Sequence, residues 1–599
     1  MRTTKSLLVV LMTLLATPLL LAAPTVLQNV YARQSLTLNG SWNYIVDPLD
    51  NGYYNYRMQV NHGGFGRNQQ PRNPSELVEY SFETAPVLRV PGDWNTQDDR
   101  FFFYEGSMWF KKDFNYEPNQ GRRQFLYFGA VNYLCNVYLN GRYLGEHVGG
   151  FTPFSFDVTD KLVKGKNFVV VRVNNARHAE DVPTVNFDWW NYGGITRDVM
   201  LVDVPTVFVD DYSLRLAKGA YDKLEGSVTL NEAKAGETVT FSLPELKLTT
   251  TVTTDADGKA SFTLPVKKLK LWSPETPTLY DLKVTHNGET INDRMGFRQI
   301  ETAGKEIRLN GQKVFLKGIS IHEEAPFRQG RAYTREEAGV LLGWAKEMGC
   351  NFVRLAHYPH NEHMVRVAEE MGLMVWSEIP VYWTIAWTNP ATYTNAANQL
   401  TDMIDRDHNR CAIVIWSIAN ETPHSDARKA FLGKLAGLAR SKDNSRLISM
   451  AMEVTGGSGN VSKVHDDMNE FVDIVSFNQY LGWYNGTPDI CKTRTFDIPY
   501  DKPVFISEFG GGALQGFHGD ANARFTEEYQ ELLYTNTMEM LDKIDGFSGC
   551  SPWILVDFHS PRRQLPNIQD FFNRKGLISD RGIRKKAFYV MQRYYNTKK

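Results

Sequence analysis

The chain has 599 residues, 42% of them hydrophobic and 22% charged, with a formal net charge of −2. A chain of this length cannot be organised around one core and implies roughly three or four domains. The near-neutral balance excludes a basic face for nucleic acid, and the lack of long charge runs excludes a charged disordered tail.

The first residues carry positive charge (Arg2, Lys5), then an apolar stretch over residues 7–21, then Ala22-Ala23. This pattern predicts a secretory signal peptide over residues 1–23 and an exported protein, periplasmic or secreted. The apolar stretch is too short for a comfortable span, so no membrane attachment is expected after cleavage. Residues 24–205 read as β structure. Apolar alternation marks residues 125–128, 135–139 and 168–173, and Asn140-Gly141 is a hairpin turn. Short strands without a long amphipathic helix predict a β-sandwich. Residues 206–302 repeat the style at smaller size, with strands near 228–230, 238–241 and 260–264 and a turn at 255–258. An immunoglobulin-like sandwich of roughly 100 residues fits.

From residue 303 to 599 strands alternate with helices. Strands are predicted at 314–320, 352–356, 373–377, 412–418, 447–450, 474–477, 504–507 and 550–556, with amphipathic helices at 335–348 and 362–371. This alternation predicts a (β/α)₈, or TIM, barrel. A doubly wound open sheet is the second architecture, but no Gly-x-Gly-x-x-Gly follows a strand to support it. The five cysteines (Cys135, Cys350, Cys411, Cys491, Cys550) are scattered without Cys-x-x-Cys spacing. They predict neither a zinc site nor an essential disulfide framework.

Each predicted barrel strand is followed by a polar or aromatic residue: His322 and Glu323, His357, Glu378, Glu421, Glu453, Tyr480, Glu508, Trp553. Active sites of such barrels lie at the C-terminal strand ends. Glu421 and Glu508 end long apolar runs, which places each carboxylate at a strand mouth. Two carboxylates meeting there are the minimum equipment for cutting a glycosidic bond, one as proton donor and one as nucleophile or base. Asn420 is placed to contact the sugar hydroxyl beside the anomeric carbon, and Tyr480 to donate to Glu508. Strands four and seven face each other across an eight-stranded ring. Spacing alone leaves the pairs Glu323 with Glu378 and Glu378 with Glu453 open.

Several motifs together resemble glycoside hydrolase family 2, the family of β-galactosidases, β-mannosidases and β-glucuronidases. Gly40-Ser41-Trp42, Val90-Pro91-Gly92-Asp93-Trp94, Asn191-Tyr192-Gly193-Gly194-Ile195 and Leu271-Trp272-Ser273-Pro274 are similar to its sandwich domains. Arg354-Leu355-Ala356-His357-Tyr358-Pro359, Trp416-Ser417-Ile418-Ala419-Asn420-Glu421 and Ser507-Glu508-Phe509-Gly510 are similar to its barrel. The resemblance implies a jelly-roll-like sugar-binding sandwich, an immunoglobulin-like sandwich and a catalytic barrel. It also implies Glu421 as acid/base and Glu508 as nucleophile, with retention of configuration.

Asn573-Arg574-Lys575 resembles the Asn-x-Lys motif by which β-glucuronidases bind the uronate carboxylate, and an amide and an ammonium two residues apart can converge on one anion. The same resemblance implies substrate contacts for Asp188, His357, Tyr484 and Trp553. The subfamily's arginine four residues before the Asn is replaced by Gln569, and Arg562 or Arg563 is the candidate substitute. The short loop over residues 324–334 suggests an open mouth that admits oligosaccharide ends. The sequon Asn420-Glu421-Thr422 falls on a strand end, and His322 and His357 lack metal-ligand spacing. The expectation is therefore an exo-β-glucuronidase acting on a β-linked uronic-acid glycoside or oligosaccharide, without cofactor or metal. A homo-oligomer is compatible with it. The alternatives are a β-galacturonidase, a neutral-sugar β-galactosidase or β-mannosidase and, more remotely, a non-catalytic carbohydrate-binding protein.

Overall fold

The computed structural model describes residues 25–598 apart from 77 and 233. The expected signal peptide, residues 1–23, lies outside the described residues. The first body is an antiparallel sandwich. A six-stranded sheet (Val87–Val90, Gly40–Val46, Ser107–Tyr116, Gly165–Asn174, Leu134–Leu139, Arg142–Val148) faces a four-stranded one (Gln34–Thr37, Val199–Pro205, Arg122–Phe128, Phe154–Asp157). Trp42, Phe110, Val137 and Val171 from one sheet meet Leu126, Phe128 and Leu201 from the other in the core. The Asn140-Gly141 hairpin forms with both residues at positive φ, 51° and 76°, the geometry that favours this pair.

The second body packs a three-stranded sheet (Val209–Leu216, Lys223–Leu230, Lys259–Pro265) on a four-stranded sheet (Leu248–Thr253, Thr238–Leu243, Tyr280–His286, Glu289–Met295). Tyr212, Leu224, Phe241, Leu282 and Ile291 fill its core, and their neighbours along each strand point outward with the period of two that a half-buried strand requires.

The third body is the barrel, a parallel sheet with strands β1 (Leu316–Lys317, resumed at Ser320–Ile321), β2 (Phe352–Leu355), β3 (Met374–Glu378), β4 (Ile413–Asn420), β5 (Leu447–Met452), β6 (Val475–Asn478), β7 (Val504–Glu508) and β8 (Phe547–Cys550). It closes because the first half of β1 pairs with β8 and the second half with β2. Helix α1 (Arg335–Glu347) starts with a capping box between Thr334 and Glu337, and helix α2 (Glu362–Met371) ends on Gly372 at φ 69°.

Two predicted strands differ from the observed ones. β1 is broken at Gly318, where a Cβ would lie 2.6 Å from the Cys550 carbonyl oxygen. β8 occupies Phe547–Cys550 rather than residues 550–556, because Pro552 has no N–H for the ladder. The segment 551–556 continues beyond β8 with irregular backbone bonds to both neighbours, Ser551 N–H to the Ile506 carbonyl (2.8 Å) and Ser320 N–H to the Pro552 carbonyl (3.1 Å), and carries Trp553 into the barrel mouth. All five cysteines are buried free thiols.

Candidate active site

The apolar strands of the barrel deliver their polar ends to one place. Glu421 follows β4, and its carboxylate accepts hydrogen bonds from Asn478 Nδ2 (2.9 Å) at the end of β6 and from Trp383 Nε1 (2.9 Å) in the loop after β3. Glu508 ends β7. Its Oε1 accepts from Arg354 Nη1 (2.7 Å) and its Oε2 from the Tyr480 hydroxyl (2.6 Å). The two carboxylates are neighbours in the electrostatic sense: burial first, then the charge of Glu508, pushes the Glu421 carboxyl up to about 7.

Arg354 is the hub beneath them. It is fully buried, donates to Glu378 Oε1 (3.0 Å) as well as to Glu508, and donates to Asn420 Oδ1 (2.8 Å). A buried guanidinium is tolerable only when its charge and its N–H groups are satisfied in this way. Burial pushes the Glu378 carboxyl up, but Arg354 and His357 outweigh burial and hold it below the usual carboxylate range. His357 Nδ1 lies 2.9 Å from Glu378 Oε1, which turns Nε2 toward Glu508 Oε1 at 3.7 Å. The ring of Trp553 stacks on His357 at 4.6 Å. Asn420 Oδ1 also accepts from Asn478 Nδ2 (3.2 Å), and the Asn420 Nδ2 group is buried with no acceptor among the described residues.

The first sandwich completes the mouth. Phe187 and Trp189 pack with Tyr358, Tyr382 and Trp553 of the barrel in one aromatic cluster. Between them in sequence, Asp188 reaches across to the barrel, where it accepts from Arg563 Nε (3.1 Å), Ser560 Oγ (2.5 Å) and Asn573 Nδ2 (3.3 Å). Arg563 Nη2 also approaches the Tyr484 hydroxyl (3.3 Å), which accepts from Lys575 Nζ at 2.8 Å. That ammonium lies over the rings of Tyr484 (4.9 Å) and Tyr480 (5.3 Å). Burial raises the Tyr484 phenol, but Lys575 and Arg563 outweigh burial and hold it below the usual phenol range.

The ten residues predicted for catalysis and substrate binding are therefore linked into one continuous set of contacts: Glu421, Glu508, Asn420, Tyr480, His357, Trp553, Tyr484, Asp188, Asn573 and Lys575. Glu323 and Glu378, the rival carboxylates, are tied up by other side chains. Glu323 is buried against Arg197 (3.0 Å) and braces sandwich to barrel, and Glu378 serves Arg354, His357 and Trp376. Glu453 faces a different part of the cleft. Of the two arginines offered as substitutes, Arg563 points at Tyr484, while Arg562 covers the Trp383 ring at 5.0 Å. Sequence reasoning missed Asn478 and Trp383 and gave Arg354 no role. A charge inside Phe352–Leu355, a strand buried throughout, was the available signal for Arg354.

Three family models match the chain in order: "Glycosyl hydrolases family 2, sugar binding domain" over residues 36–205, "Glycosyl hydrolases family 2" over 207–298, and "Glycosyl hydrolases family 2, TIM barrel domain" over 300–598. The chain belongs to glycosyl hydrolase family 2. It is a glycoside hydrolase built from two sandwiches and a barrel. Among family relatives, one from Formosa agariphila is 28% identical over 572 residues, which spans 85% of this chain and 66% of that protein. The "Beta-glucuronidase" of Paenibacillus borealis is 27% identical over 92% of this chain and 95% of its own length. The crystal structure of the Ruminococcus gnavus beta-glucuronidase superposes with a TM-score of 0.81 at 22% identity, covering 94% of this chain and 98% of that one.

Proposed function

We propose that this family 2 hydrolase is a retaining exo-β-glucuronidase that removes terminal β-D-glucuronic acid from glycosides or oligosaccharides. The observation that carries the sugar assignment is Lys575. Among the described residues three lysines are buried, Lys111, Lys575 and Lys585. Lys111 pairs with Asp113 at 2.6 Å and Lys585 with Asp557 at 2.7 Å, but Lys575 has no carboxylate partner among the described residues, only the Tyr484 hydroxyl and the faces of the surrounding aromatic rings. A buried ammonium without a counter-ion costs several kcal/mol, and the carboxylate of a uronic acid entering the mouth supplies the missing partner. The relatives named beta-glucuronidase support the same reading.

In this assignment Glu421, held near neutrality, donates its proton to the glycosidic oxygen as Glu508 attacks the anomeric carbon. The leaving group departs as the alcohol and a glycosyl ester of Glu508 remains. Glu421, now ionised, takes a proton from water, which attacks the anomeric carbon and frees Glu508. This double displacement requires the two carboxyl groups about 5 Å apart. Tyr480 and Arg354 orient Glu508. The free N–H of Asn420 is available to the neighbouring sugar hydroxyl, whose hydrogen bond tightens in the transition state. Asp188, Arg563 and Asn573 are bonded across sandwich and barrel beside Lys575 and Tyr484, which supports recognition of a single terminal sugar. The charged start and apolar stretch of residues 1–23 support export.

A panel of chromogenic β-glucuronide, β-galacturonide, β-galactoside and β-mannoside tests the assignment. The glucuronide should be turned over fastest. Faster hydrolysis of the galacturonide transfers the uronate reading to the C4 epimer, and faster hydrolysis of a neutral glycoside removes the acid sugar altogether.

A further inference from the structure

A cavity opens beside Glu421, and neither Lys575 nor Tyr484 lines it. Its volume is about 680 Å³, inside the range of small-molecule sites, about 300–1,000 Å³. Two domains build it. The first sandwich supplies Thr184, Val185 and Asn186, and the barrel supplies Trp383, Ile385 and Glu453, with Glu421 at the boundary. One side is apolar, from Val185, Ile385 and the Trp383 ring; the other is polar. Glu453, just past the end of β5, has no hydrogen-bond or ion-pair partner among the described residues. The basic side chains nearest to it are already engaged: His424 Nε2 and Arg428 Nη2 both meet Asp466 Oδ2, at 3.3 Å and 2.7 Å. A half-buried carboxylate in a cavity with no protein donor is an acceptor left for a ligand.

We propose that this cavity is a leaving-group subsite for a second sugar ring, with Glu453 accepting hydrogen bonds from its hydroxyls while Val185 and Ile385 cover its apolar face. The proposal rests on the glucuronidase reading and assigns the class of its natural leaving group: a carbohydrate rather than a flat aromatic. An aromatic leaving group would find the apolar wall but give Glu453 nothing to bind. The position fits the chemistry, because the oxygen that Glu421 protonates is the one joining the two rings.

The test compares kcat/KM for two donors in the whole protein. One is a β-glucuronyl disaccharide. The other is β-D-glucuronyl fluoride, whose leaving group fills no subsite and needs no proton donor. In Glu453→Gln the disaccharide-to-fluoride ratio should fall by about tenfold, as expected when a hydrogen-bonded substrate hydroxyl loses a charged acceptor. In Val185→Trp, which narrows the cavity from the other domain, it should fall at least as far. An unchanged ratio in both variants overturns the subsite, as does wild-type turnover of the fluoride without turnover of the disaccharide. Inert fluoride with the wild type refutes the glucuronate reading alone, and the ratio is then read on the fluoride and disaccharide of whichever glycone the chromogenic panel shows to be turned over.

Discussion

The two ends of the cleft are built on opposite plans. At the sugar-recognition end the side chains are tied to one another: Asp188 to Arg563, Ser560 and Asn573, and Tyr484 to both Lys575 and Arg563. At the leaving-group end Glu453 is unpartnered and Val185 is 48% exposed. Selectivity resides at the first of these ends. Pre-set donors reject a sugar that lacks the matching group, because each mismatch leaves a buried polar atom unpaired. A loosely held wall with one free acceptor discriminates less, selecting sugar rings as a class rather than one particular sugar. Between the two plans sit Glu421, whose carboxyl burial pushes up, and Glu508, whose carboxylate accepts hydrogen bonds from Arg354 and Tyr480.

The largest effect should come from the carboxylate that the tied-up end positions. Glu508→Ala should lower kcat by about 10⁴-fold on every glycoside, whatever the leaving group. Azide should restore turnover through the vacated face and give the α-glycosyl azide, read by NMR. Residual wild-type-like activity in this variant would place the nucleophile elsewhere. Glu421→Gln should separate the two ends. Turnover of a glucuronide with a poor alcohol leaving group should drop by about 10³-fold, and that of a glucuronide with a good phenol leaving group far less. Because the Glu421 carboxyl lies at about 7 and works protonated, wild-type kcat/KM should decline as pH rises through that value. The decline should be missing in Glu421→Gln.

Lys575→Ala probes the sugar end alone. It should cost about 10²–10³-fold in kcat/KM on the glucuronide, the worth of one charge-assisted contact in a desolvated pocket. Its thermal midpoint should be equal to or above that of the wild type, since the change removes a buried charge without a counter-ion. A variant that unfolds instead would make Lys575 a structural residue. The smallest effect concerns stability. A carboxyl whose folded value is raised is protonated in the native state and ionised in the unfolded one between the ordinary glutamate range and about 7. That stabilising difference is lost as pH rises through this window. Glu421→Gln should therefore be more stable than wild type at pH 8 by about 1–3 kcal/mol and equal to it at pH 4. Calorimetry at the two pH values reads the difference.

The barrel was legible because each long apolar run, such as Ile413–Asn420, ends in a functional polar residue. Both carboxylates of the centre follow from that pattern. β1 and β8 were harder, because Gly318 and Pro552 interrupt the ladder for reasons of close approach and a missing N–H, which no apolar count detects. Trp383 and Asn478 escaped for another reason: each meets Glu421 through a fold-dependent turn or strand end, with no local spacing to announce it. Asp188 was placed in the mouth from its resemblance to the family, but the partners that occupy its oxygens lie on the far side of the chain and emerge only from the packing of sandwich on barrel.

The ion pair of Asp188 with Arg563 joins positions 375 residues apart in the chain. The first sandwich has a hydrophobic core of its own, so a chain that stops short of residue 563 carries a sugar-binding domain and no working enzyme. Activity begins only when the last part of the barrel docks against that waiting domain. Hydrolysis is thus a reporter of full-length assembly, and fragments lacking either end should be silent however well they fold.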